Sequence, residues 1–83
     1  MSKESAIFLD AEDFPKVPLV IDGISTRFIR ENRIIPFEFK NDVLKVIMAD
    51  PDDREVIEAL RVAAAGEVIV YTAAREVIDE HLS

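Results

Sequence analysis

The stretch VLKVIMADPDDREVIEALRVAAAGEVIVY, residues 43–71, decides the fold. It opens with a run, Val43 to Ala49, that is too apolar for a one-sided strand and suits burial on both faces. It closes with Glu67 to Tyr71, where Val68, Ile69, Val70 and Tyr71 are all strong strand formers. Between them, Val56, Ile57, Leu60, Ala63 and Ala64 follow an i, i+1, i+4, i+7, i+8 stripe, the pattern of a helix that buries one face. Asp50 is a suitable N-cap and Pro51 a suitable first helical residue. Asp52, Asp53 and Glu55 would lie near the positive end of the helix dipole. Gly66 suits a left-handed C-cap. Strand, helix, strand in this order predicts a right-handed crossover that leaves the two strands parallel.

Upstream, Ile34 to Lys40 reads as another strand. Pro36 cannot donate to a ladder, so the strand should begin there or lie at an edge. Asn41-Asp42 tolerates positive φ, and a tight hairpin to Val43 is expected. Before it, Ile21, Ile24, Phe28 and Ile29 have helical spacing, with Asp22 as N-cap and an end near Asn32. Pro15 and Pro18 argue against a long helix in the first 20 residues, where a short extended piece near Ile7–Leu9 is expected. Downstream, Thr72 is placed as the cap of a last helix, Ala73 to Leu82, with the stripe Ala74, Val77, Ile78 and Leu82. The fold class is α/β, in the form of an α+β two-layer domain. Its small three-stranded mixed sheet and about three helices follow the order α-β-β-α-β-α after the N-terminal extended segment. Helices are expected on one face of the sheet. The division is residues 1–20 for that segment and 21–83 for the α/β domain.

Composition narrows function mostly by exclusion. Eighty-three residues make one domain, and 49% apolar with 33% charged residues is a globular balance. There is no cysteine, and the one histidine, His81, builds no histidine cluster. The net charge of −7 opposes a general affinity for nucleic acid or anionic membrane. It is uneven: residues 1–40 hold six basic and seven acidic side chains, residues 41–83 four and ten. The acidity therefore belongs to the second half. No run approaches the ~20 apolar residues of a membrane span, so a cytoplasmic location is expected.

Signatures of catalysis are missing from the sequence. With glycine only at positions 23 and 66, no phosphate-cradling loop can be written. Asp50, Asp52, Asp53 and Glu55 fail as a calcium loop, because Pro51 sits inside the run, Glu55 stands at the sixth position where the turn glycine is required, and Arg61 stands where the twelfth-position Glu is required. Helix capping explains the run better. Glu55 with Glu58, and Glu76 with Glu80, are helical neighbours on solvated faces. His81 reads as an exposed histidine at the end of the last helix. No catalytic residue, metal ligand or cofactor is expected. The partner-binding candidates are Arg27, Arg30 and Arg33, which recur every three residues along one helix flank and can pair with carboxylates or phosphate. The acidic set Asp52, Glu55 and Glu58 comes second.

Ordered blocks from Phe28 to Leu82 carry a family resemblance. They are Phe28-Ile29-Arg30-Glu31-Asn32-Arg33-Ile34-Ile35-Pro36-Phe37, Val43 to Pro51 ending in Met48-Ala49-Asp50-Pro51, the helix Val56 to Gly66, and Val68 to Leu82. Together they resemble the N-terminal domain of type II secretion and type IV pilus assembly ATPases. The Met-Ala-Asp-Pro block is the most specific of them. The resemblance implies a role in docking the cytoplasmic motor to the cytoplasmic part of an inner-membrane platform protein, with peripheral attachment through that partner. Nucleotide chemistry in such ATPases lies in a later domain outside these residues, so no ATPase activity carries over. Some relatives bind cyclic di-GMP through upstream motifs that begin with Arg-Leu-Gly. That tripeptide does not occur here, and a cyclic di-GMP sensor is the alternative reading rather than the leading one.

Overall fold

The computed structural model describes residues 7–15, 19 and 21–82. In chain order, β1 is Ile7–Phe8, α1 Thr26–Asn32, β2 Ile34–Lys40, β3 Val43–Met48, α2 Arg54–Ala64, β4 Glu67–Thr72 and α3 Arg75–Leu82. A short 3-10 turn, Ala11–Asp13, follows β1. The α+β class and the element order hold, but the sheet has four strands in the order β1-β4-β3-β2. The added strand is the extended piece at Ile7–Phe8, which runs parallel to β4 with Ile7 opposite Tyr71. β3 and β4 are parallel from Val43 opposite Glu67 to Ile47 opposite Tyr71.

Asn41 and Asp42 form the hairpin turn with φ of 53° and 64°, the left-handed pair that a two-residue hairpin requires. β2 is an edge strand, as Pro36 demands. Its register shifts between Pro36 and Glu38, so Phe37 is the bulged residue. The amide of Ala49 donates to the carbonyl of Arg33 at 3.1 Å. Bonded and non-bonded pairs alternate along an antiparallel ladder. Counting from Arg33 opposite Ala49, Pro36 opposite Val46 is a non-bonded pair, and the proline nitrogen faces away from the sheet.

Helices cover both faces, not one. Leu44, Val46 and Met48 of β3 pack with Ile21, Ile34 and the α2 residues Val56, Leu60 and Ala64, while Leu19, Ile24 and Phe28 close over them. Ile47, one residue out of phase on β3, packs on the opposite face with Ile35, Phe14, Ala73 and Ile78 of α3. The period of two along β3 leads to this: a central strand with apolar residues on both of its faces, Leu44, Val46 and Met48 on one and Ile47 on the other, needs cover on each side.

Four expected caps fall elsewhere. α1 begins after Ser25, not Asp22: the Ser25 hydroxyl accepts from the Phe28 amide at 3.0 Å, and Gly23 has a φ of 91° that no first helical turn accepts. α2 begins after Asp53, whose carboxylate accepts from the Val56 amide at 3.3 Å. Asp50 and Pro51 instead open a β-turn closed by the Asp53 amide on the Asp50 carbonyl at 3.2 Å, a turn that also favours Pro at its second position. The left-handed C-cap of α2 is Ala65, with φ of 56°. Gly66 is required for space: a Cβ there would collide with the Asp42 carbonyl. Thr72 ends β4, and its hydroxyl donates to the Met48 carbonyl at 2.9 Å. The cap position of α3 is two residues later, at Ala74, whose carbonyl accepts from both Val77 and Ile78, and the helix itself begins at Arg75.

Candidate functional site

The three arginines of the row differ in their local partners. Arg27 pairs with Glu31 one turn along α1 at 3.2 Å. Arg33 ends α1 in the left-handed conformation and reaches across to Asp79 of α3 at 3.4 Å. Arg30 is exposed, and its guanidinium forms no ion pair among the described residues. Arg27 and Arg33 thus carry exposed ion pairs, which are weak, and Arg30 carries none among the described residues.

Arg30 stands at the rim of a pocket of about 390 Å³ that wraps the outer edge of β2. Ile21, Ile24, Ile29 and Ile34 wall it from the α1 side, and Ile35 and Leu82 from the α3 side. Its described lining contains no carboxylate; the titratable groups are Arg30 and His81. The imidazole of His81 meets the ring of Phe14 edge-on, with centroids 5.4 Å apart, which fixes the last turn of α3 against the segment after β1. Ile29, one of the residues at helical spacing, faces this pocket. The pocket forms where α1 and α3 both approach β2, so no local pattern in the sequence announces it.

A second opening, of about 640 Å³, runs between α2 and the β4 edge. Val68, Val70 and Ile57 form its floor, with Ile7 at one end. Of the acidic set, Asp52 and Glu58 reach its rim and Glu55 does not. Arg54 and Arg61 stand among them, and Arg61 bonds Glu58 at 3.1 Å. The rim is therefore mixed and partly self-paired rather than acidic. Sequence reading passed over Arg54 and Arg61, although the i, i+3 spacing of Glu58 and Arg61 is a signal for such a pair.

The acidic run 50–55 is engaged locally. Asp50 accepts from the Asp52 amide at 3.4 Å, and Asp53 caps α2. Among the described residues, no group of three or more His, Asp or Glu side chains could hold a metal ion, and no helix is long and apolar enough to cross a membrane. Large apolar side chains stay open to solvent at Ile7, Phe8, Phe39 and Val62, with Val62 of α2 at 76% and Phe8 at 62%.

Comparison with known proteins agrees with this fold. The MshEN domain matches residues 6–83. Two structures of the N-terminal domain of XpsE superpose with a TM-score of 0.79 at 25% identity, over 93% of this chain and 55% of theirs. A structure of MshE with cdg superposes at 0.68 with 18% identity, over 93% of this chain and 56% of the other; at that identity the likeness is one of fold alone. The chain spans little more than half the length of these solved relatives. No curated protein matches.

Proposed function

The chain belongs to the MshEN domain family, the N-terminal domain type of the secretion and pilus ATPases that its sequence blocks resemble, and from that premise we propose that it is a non-catalytic adaptor. It docks a secretion or pilus motor to the cytoplasmic part of an inner-membrane platform protein and is peripheral to the membrane through that partner. The observation that carries this reading is the family match over nearly the whole chain. The surface is suited to the task. An interface of standard size takes ~800 Å² from each side, roughly one-seventh of the 5787 Å² that this domain exposes. Rigid helix faces with fixed charges give such an interface register and orientation. Arg27, Arg30 and Arg33 are the first contact set, with Arg30 foremost because it forms no ion pair among the described residues; Asp52, Glu55 and Glu58 are the second.

Pull-down of the platform protein's cytoplasmic domain by the intact chain tests the reading. The wild type retains the partner, and reversal of Arg27, Arg30 and Arg33 to Glu releases it. Full retention by the triple variant removes the arginines from the interface; no retention by the wild type removes the adaptor reading.

A second reading is a cyclic dinucleotide sensor. Its support is the shared fold with MshE, solved with cdg (cyclic di-GMP). The missing Arg-Leu-Gly motif weighs against it. Saturable heat on titration with cyclic di-GMP would promote this reading over the first.

A further inference from the structure

We propose that the pocket around the outer edge of β2 receives an amphipathic helix that presents a carboxylate beside an apolar side chain, with Arg30 taking the carboxylate. This rests on the adaptor reading and names the chemistry of the segment that docks. Three observations select that occupant. First, the walls are apolar on both sides of the strand, from Ile24 and Ile29 to Leu82, so an apolar anchor gains burial there. Second, the chain carries a net charge of −7, yet the described lining holds Arg30 and His81 and no carboxylate. An acidic group is attracted to this spot and repelled by most of the remaining surface. Arg30 forms no ion pair among the described residues, so it can offer both guanidinium edges to a carboxylate. Third, the strand edge under the pocket does not accept another strand. Pro36 turns its nitrogen outward without a hydrogen, and the bulge at Phe37 breaks the register beyond it. A helix satisfies its own backbone and needs only side-chain pockets, which is what this edge provides.

The test uses the intact chain labelled with nitrogen-15. Three probes are titrated: the platform protein's cytoplasmic domain, a synthetic amphipathic helix with Glu beside a Leu stripe, and the same helix with Lys for Glu. The Glu helix is expected to move the amide resonances of Ile24, Ile29 and Leu82, and the Lys helix is not. Arg30→Glu should weaken the Glu helix and the platform domain about tenfold, the order of one charge-assisted contact. It should improve the Lys helix and leave the melting temperature unchanged. Arg30→Ala, which adds no repulsion, should show the loss without the gain. A platform domain that binds but moves only resonances of the α2–β4 groove, with Arg30→Glu at full affinity, overturns the pocket and leaves the adaptor reading standing. A platform domain that does not bind, beside a Glu helix that does so through Arg30, upholds the pocket and removes the platform partner. Equal response to both helices, a matching response to sodium decanoate, or concentration-dependent self-association through these residues overturns the proposed occupant.

Discussion

The two faces of the sheet differ in how completely they are filled. The face under α1 and α2 gathers eight buried residues from Ile21 to Ala64, with six half-buried ones around them. Among the described residues, the face under α3 gathers five buried residues, also with six half-buried ones around them, and one of the five, Phe14, comes from the irregular segment after β1. β3 supplies three residues to the first face and one to the second. The first face is the stabilising core. The second is a thinner layer that fixes α3, and where α3 ends beside β2 the cover is incomplete and the Arg30 pocket opens. The pocket straddles the β2 edge: Ile21 and Ile34 of the first face wall one side of it, Ile35 and Leu82 of the second face the other.

Substitutions can break or sharpen this contrast. The largest effect belongs to Leu60→Ala, which empties a fully buried site among helix and strand residues that have little freedom to collapse; we expect a loss of about 4 kcal/mol in denaturant unfolding. Ile78→Ala empties an equally buried site on the thinner face, where half-buried neighbours can relax inward, and should cost about 2–3 kcal/mol. Equal losses at the two sites would mean that the faces are equivalent. Gly66→Ala comes next. Its Cβ meets backbone at Asp42, where no rotamer can relieve the clash, and a loss of about 2 kcal/mol is expected. By contrast Ala65→Gly should stabilise by about 1 kcal/mol, because Ala65 already holds a left-handed φ of 56°. Asp53→Ala should remove about 1 kcal/mol through the cap of α2, and Asp50→Ala less; the reverse order would return the helix start to Asp50. Smallest is Asp79→Ala. Its bridge to Arg33 joins α1 to α3 across the edge, but both partners are about half exposed, and less than about 0.5 kcal/mol should be lost.

Much of this architecture was legible in the residues, for physical reasons that can be named. Asn41-Asp42 announced a left-handed turn because few other side chains tolerate one. The apolar run of β3 announced a central strand because only burial on both faces excuses it. The starts of α1 and α2 lie three residues, and that of α3 two residues, beyond the expected caps, because Asp and Ser types cap turns as readily as helices and Pro51 suits either. The C-cap was misread at Gly66 because the need for that glycine comes from Asp42, a contact across the fold. β1 could be seen as extended but not as a sheet member, since its partner lies at the far end of the chain. The arginine row was visible as a pattern. That Arg27 and Arg33 are paired while Arg30 has no ion pair among the described residues depends on Glu31 and on Asp79, and the latter is distant in sequence.

The adaptor reading is tested most directly by titration calorimetry run in parallel on one preparation of the intact chain. One arm uses the platform protein's cytoplasmic domain and the other cyclic di-GMP at ~100 μM, a concentration at which even micromolar affinity, about −8 kcal/mol, gives heat. The account predicts saturable heat with the protein, diminished by Arg30→Glu, and none with the dinucleotide. Heat with the dinucleotide and none with the protein would contradict it.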